Sequence, residues 1–126
     1  MAAQETHRPV ILVVDDEPLI AQLVAETLAA EGYEVETASN GREALEKIPL
    51  RSFNLILCDL RMPELDGVGL YRELEKGHPD LLRRIAFVTG TTEPPDYSRF
   101  LKETAVPVLH KPFSLGNLER FVRQLL

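Results

Sequence analysis

The chain has a single cysteine, no long apolar run and no cluster of basic residues. One thiol, Cys58, cannot form an internal disulfide, and its place inside an apolar run reads as a buried, inert side chain rather than a nucleophile. A membrane-spanning helix takes about 20 consecutive apolar residues, and nothing here approaches that length. Residues 1–9 lack the apolar core of a secretory signal and read as a flexible leader. Lys and Arg are scattered, Arg83-Arg84 is too short to form a patch, and the net charge is −6. Nucleic-acid surfaces need clustered cations, so none is expected here. His78 and His110 have no metal-ligand spacing, and His7 falls in the leader. These absences fit a cytoplasmic protein with no membrane contact.

What remains is an ordinary globular composition, 44% hydrophobic and 27% charged over 126 residues. That length is room for one domain, residues 10–126, and little else. Three continuous apolar runs, at Val10–Val14, 55–58 and 85–88, have the pattern of parallel strands covered on both faces. Helical spacing follows them. Leu19, Ile20, Leu23, Val24 and Leu28 make a stripe over residues 19–31, with Gly32 as its stop. Asn40 with Glu43 three residues on marks a capping-box start for residues 41–48. Leu70, Tyr71 and Leu74 pattern residues 68–76, and Ser114 caps a final helix.

Two further strands are of another kind. Residues 33–38 are too polar for a central strand, and residues 106–110 contain Pro107, which belongs on an edge. A loop at residues 91–95 leaves only 96–103 for a short helix between the last two strands. The order is therefore five βα units, with the first, third and fourth strands central. Right-handed crossovers then favour a flavodoxin-like α/β fold, a doubly wound three-layer sandwich whose parallel sheet has order 2-1-3-4-5. That order makes the first and third strands neighbours.

Asp15 and Asp16 follow the first strand, and Asp59 follows the third. One such acid is commonly a helix cap or turn former. Two adjacent strand ends bring the three carboxylates together, each pair repelling by about 3 kcal/mol at roughly 5 Å and an effective dielectric near 20. Such a rim calls for a divalent cation with hard oxygen ligands. Thr89 closes the fourth strand and Lys111 the fifth. Carboxylates, a hydroxyl and an ammonium at one sheet edge suit phosphoryl chemistry, with Asp59 as nucleophile.

The pieces V-V-D-D-E at 13–17, L-C-D-L-R-M-P-E-L-D-G at 57–67, F-V-T-G at 87–90 and H-K-P-F at 110–113 resemble the receiver domain of two-component response regulators. Their order and intervals fit that family, and the resemblance covers residues 10–126. It implies that Asp59 is the phosphoacceptor, that Asp15 and Asp16 with Asp59 and the Arg61 carbonyl hold Mg²⁺, and that Thr89 and Lys111 contact the phosphoryl group. It implies a histidine kinase or histidine phosphotransfer protein as partner, and a homodimer through the face of the fourth helix, fifth strand and fifth helix. No enzyme with a separate substrate is implied, only self-catalysed phosphorylation and dephosphorylation of the aspartate. Residues 89–113 further resemble receivers attached to the C-terminus of hybrid sensor histidine kinases. The resemblance also makes Lys111-Pro112 a cis peptide and gives Gly67 a backbone geometry that a Cβ would forbid.

There are departures. Val108 stands where the family often has a switching Tyr or Phe. Arg61 and Thr91 occupy positions that tune access to the phosphoryl group. The alternative reading is a receiver-like binding module that works without phosphorylation, against which the five retained site residues speak. An aspartyl-phosphate phosphatase would want an acid where Arg61 stands, and a flavodoxin would want a phosphate loop where Asp15-Asp16-Glu17 would repel one.

Overall fold

A computed structural model describes residues 8–90 and 94–126. The expected leader (as far as residue 7) and Thr91, with most of the expected loop, lie outside the described residues. Pro9 is already tied to the sheet, its carbonyl accepting from Glu34 N at 2.9 Å.

Five strands alternate with five helices: β1 Val10–Val14, α1 Pro18–Ala30, β2 Glu34–Ala38, α2 Gly41–Lys47, β3 Leu55–Asp59, α3 Gly67–Gly77, β4 Ile85–Thr89, α4 Pro95–Thr104, β5 Val108–His110 and α5 Leu115–Leu125. Short 3-10 turns follow α2 and α3. The strands pair in parallel in the order β2-β1-β3-β4-β5, as the polarity of β2 and the proline near β5 imply. β1 and β3 are in register from Ile11 opposite Leu55 to Val14 opposite Cys58.

Side chains of a strand alternate between faces, and both faces of this sheet are apolar. Leu12, Val14, Ile56, Cys58 and Phe87 pack into a core with Leu70, Leu74 and Phe100 from α3 and α4. Ile11, Val13, Leu55, Leu57 and Val88 face the other way, against Val24 and Leu28 of α1 and Leu118 and Val122 of α5. The continuous apolar runs are the signature of this two-sided burial.

Local signals act where the sequence places them. Asn40 accepts from Glu43 N at 2.8 Å, Asp66 from Gly69 N at 2.8 Å and Ser114 from Asn117 N at 3.0 Å, each capping a helix start. The box at α2 is modified, because Glu43 reaches back to Ser39 rather than to Asn40. Two expectations change. α4 has ten residues, close to the eleven of α3 and α5, because Pro95 opens the helix where its missing N–H costs nothing. β5 begins at Val108, and Pro107 lies before it, giving only its carbonyl to Phe87 N at 2.9 Å.

Gly67 has no left-handed φ among the positive-φ residues of the chain. Its role is close approach: a Cβ there would sit 2.8 Å from Phe87 Cε1 and 3.0 Å from the Asp59 carbonyl oxygen.

Ile56→Ala, at a fully buried position, should cost about 2–5 kcal/mol in urea unfolding, while Leu50→Ala, at a position 79% exposed, should stay within about 0.5 kcal/mol of the parent.

Candidate functional site

The carboxyl ends of β1, β3, β4 and β5 form one rim. Asp15 follows β1, its N–H donating to the Ala38 carbonyl at 3.0 Å, and its Oδ1 accepts from Glu17 N at 2.9 Å. Asp59 is the last residue of β3, one further than the apolar run implies. Its Oδ2 lies 3.1 Å from Lys111 Nζ, and its Oδ1 accepts from Arg61 N at 3.4 Å. Lys111 N donates to the Thr89 carbonyl at 2.7 Å, so the end of β4 and the residue after β5 are joined through the backbone. Thr89 is buried, and the Lys111–Pro112 peptide is cis.

The six residues singled out from sequence do not all converge. Asp15, Glu17 and Asp59 each offer an oxygen within 4.8 Å of the other two, and Lys111 Nζ lies 3.8 Å from Glu17 Oε1. Asp16 is exposed and outside that trio. It lines an open cleft with Arg61, Met62, Pro63, Pro94, Asp96 and Tyr97. Glu17 enters the site through its distances to Asp15, Asp59 and Lys111. Val108, at the start of β5, pairs with Phe87 and is half-buried.

Asp66 and Tyr97 were not anticipated. Asp66 caps α3, and its other oxygen accepts from the Tyr97 hydroxyl at 2.8 Å. The cap was legible in an Asp just before Gly67. The reach of Tyr97 was not, since it depends on where α4 lies.

The model of the response regulator receiver domain matches residues 11–123. The chain belongs to that family. This receiver is 39% identical over 122 residues to ycf27 of Cyanophora paradoxa, a probable transcriptional regulator, covering 97% of this chain and 50% of that protein. It is 35% identical to the sensor kinase CckA of Brucella abortus, covering 92% of this chain and 12% of the kinase. The chemotaxis protein CheY4 of Vibrio cholerae superposes with a TM-score of 0.84 at 31% identity, covering 95% of this chain and 100% of that one. The chain thus spans half of the ycf27 protein and about an eighth of the sensor kinase. Receivers of this family are signalling modules of two-component systems rather than enzymes with a separate substrate, and they interact with histidine kinases or phosphotransfer proteins. Among the described residues, no helix of this receiver is long and apolar enough to cross a membrane.

Burial sets the electrostatics of the receiver's rim. Asp15 is pushed up to about 6, mainly by desolvation, with the Glu17 N–H pulling down and the Asp59 charge pushing up. Desolvation also raises Asp59, and the attraction and hydrogen bond of Lys111 only partly counter it. For Lys111 burial pulls down, yet Asp59, Asp15 and Glu17 together hold the ammonium above its ordinary value. Burial raises the Cys58 thiol well above its usual range, so it stays a neutral core side chain, as expected.

The donor set fits the expected metal. Two buried carboxylates and an exposed third are all hard oxygen, and the buried pair is disfavoured as anions unless a cation is near.

An acid whose folded value lies above its unfolded one binds more protons when folded, so its ionisation weakens the fold as pH rises from about 4 to 6. Without divalent cation, Asp15→Asn should therefore stabilise the receiver at pH 7 by on the order of 1–2 kcal/mol, the shift being discounted for the open mouth of the rim. The gain should vanish near pH 4. Thermal melts of both proteins from pH 4 to 7.5 measure this, and an equal difference at every pH would contradict it.

Proposed function

We propose that this chain accepts a phosphoryl group on Asp59 from a phosphohistidine of a histidine kinase or histidine phosphotransfer protein. The observation that carries the proposal is the Asp59 carboxylate, 3.1 Å from the Lys111 ammonium and within the reach of Asp15 and Glu17, at the end of a buried central strand. Phosphoryl transfer needs mainly positioning and stabilisation of charge, and the rim supplies both.

In the transfer, an Asp59 oxygen forms a bond to phosphorus as the bond from phosphorus to the donor's histidine nitrogen breaks. The histidine nitrogen keeps the electron pair and, with the other ring nitrogen already protonated in the donor, stays behind as neutral imidazole. Lys111 moves its contact from the carboxylate to a phosphoryl oxygen, and the buried Thr89 hydroxyl donates to another. Asp59 must be ionised to attack, and Lys111 favours that form against burial. Asp15, Asp59 and the Arg61 carbonyl, with Asp16 acting through water from the cleft beside them, would hold Mg²⁺, which when bound neutralises charge on the phosphoryl oxygens.

A donor of this kind places the reaction in the cytoplasm. Similarity to a sensor kinase supports a receiver attached to a hybrid kinase, and similarity to a transcriptional regulator supports one governing a separate output. The net charge of −6 argues against nucleic acid as a direct partner of this domain alone. Dimerisation through α4, β5 and α5 is a further proposal, open to sedimentation with and without phosphoryl donor.

Acetyl phosphate with Mg²⁺ should add one phosphoryl group to the chain by intact mass, and Asp59→Asn or chelation of the metal should prevent it. Labelling of Asp59→Asn equal to the parent would sink the assignment. No labelling of the parent, with partner binding indifferent to Asp59→Ala, would favour the phosphorylation-independent module. Lys111→Ala should slow labelling by on the order of 10²-fold, the scale for losing one preorganised charge partner of a transition state.

A further inference from the structure

Gly41 opens α2, and the first N–H groups of a helix have no partner within it. The cap at this end is already in use, since Asn40 accepts from Glu43 N. Gly41 N donates instead to the Leu65 carbonyl at 2.9 Å, in the loop between β3 and α3. The approach is close enough to depend on glycine. A Cβ on Gly41 would sit 2.6 Å from the Leu65 carbonyl oxygen and 3.1 Å from Leu65 Cβ, so any larger residue must push that backbone aside. Gly69, in the first turn of α3, also lies against Leu65, but a Cβ there would first meet the end of its side chain, Cδ1 at 2.5 Å.

Leu65 belongs to a loop with little freedom. Its N–H donates to the Pro63 carbonyl at 2.8 Å across Glu64, whose φ of 69° is a left-handed conformation that costs a residue with a Cβ. Such strain persists only where the surroundings impose it. The ring of Pro63 fixes its own φ, and Met62 packs against the core. Gly67 N closes the base of the loop on the Leu60 carbonyl at 2.9 Å. Arg61 lies on this loop, its N–H on Asp59 Oδ1 at 3.4 Å. A push on the Leu65 carbonyl is therefore passed along a stiff backbone toward Arg61.

We propose that Gly41 is a positioning residue for the metal: from the start of α2 it holds the Leu65 carbonyl, and with it the loop on which the Arg61 carbonyl serves as a Mg²⁺ ligand. It rests on the reading of Asp15, Asp59 and the Arg61 carbonyl as the Mg²⁺ set. Groups that hold the ligands of a metal in place govern its affinity without touching it. Coupling of this kind is reciprocal. Whatever factor of Mg²⁺ affinity is lost with the Gly41 contact, bound Mg²⁺ must strengthen that contact by the same factor.

Mg²⁺ alone is the probe, followed through the amide resonances of the ¹⁵N-labelled chain. In the parent the Asp59 and Arg61 amides should shift on titration. At saturation, hydrogen exchange of the Gly41 amide should slow roughly tenfold, while that of Gly32, before β2 at the other end of the sheet, should not change. Gly41→Ala, compared where circular dichroism shows both proteins folded, should bind Mg²⁺ about tenfold more weakly. Gly69→Ala should stay within about twofold of the parent, because the end of a side chain can turn to another rotamer. Labelling of Gly41→Ala by acetyl phosphate should be slow at limiting Mg²⁺ and return to the parent rate at saturation, which a general loss of structure would not do. The exchange measurement needs no variant, so it decides even if Gly41→Ala does not fold. Bound Mg²⁺ with Gly41 exchange unchanged overturns the inference alone, as does parent-like Mg²⁺ affinity in folded Gly41→Ala. So does an equal loss in Gly69→Ala, or a labelling deficit that saturating Mg²⁺ leaves in place. If no amide at the rim of the parent responds to Mg²⁺, the metal reading falls and the inference with it.

Discussion

Two parallel strands that lie side by side and both end in acid set the terms for everything else. With Val14 opposite Cys58, Asp15 and Asp59 are driven into one half-enclosed rim. Neither burial nor mutual repulsion favours their ionisation. Lys111, brought back by β5 and bonded through its backbone to Thr89, is the counter-charge the rim contains. The site is therefore held in tension: stable enough to form, short of positive charge, and placed to gain from a cation.

The scaffold is built to bear that tension. The apolar alternation of β1, β3 and β4 fills two cores at once, so the strand ends cannot slide without exposing a whole face. Gly67 lets the loop after β3 press against Phe87 and the Asp59 carbonyl, which fixes Asp59 from behind. By contrast α4 buries a single residue, Phe100, and so is anchored more lightly than α1, α3 and α5.

Much of this was legible beforehand. Continuous apolar runs named the central strands, and the polarity of β2 with the proline before β5 named the edges, which suffices for the sheet order. Asp15, Asp59, Thr89 and Lys111 could be placed at one rim because strand ends are read from the same pattern. Asp16 and Glu17 could not be told apart in that way. They are adjacent acids, and which of them turns toward Lys111 depends on how the chain leaves β1 for α1. The length of α4 was underestimated because Pro94-Pro95 reads as a break, whereas Pro95 serves as a first helical residue.

The sequence by itself determined the family, the topology and the chemical kinds gathered at the rim, because hydrophobic period and motif spacing are local properties summed along the chain. Tertiary structure decided which oxygen meets which nitrogen. It placed Asp59 on Lys111, set Asp16 beside Arg61 in the open cleft, and joined Asp66 to Tyr97 thirty-one residues away. Contacts of that reach depend on the packing of helices over the sheet. No spacing rule encodes them, since a small rotation of α4 would break them and leave every local signal unchanged.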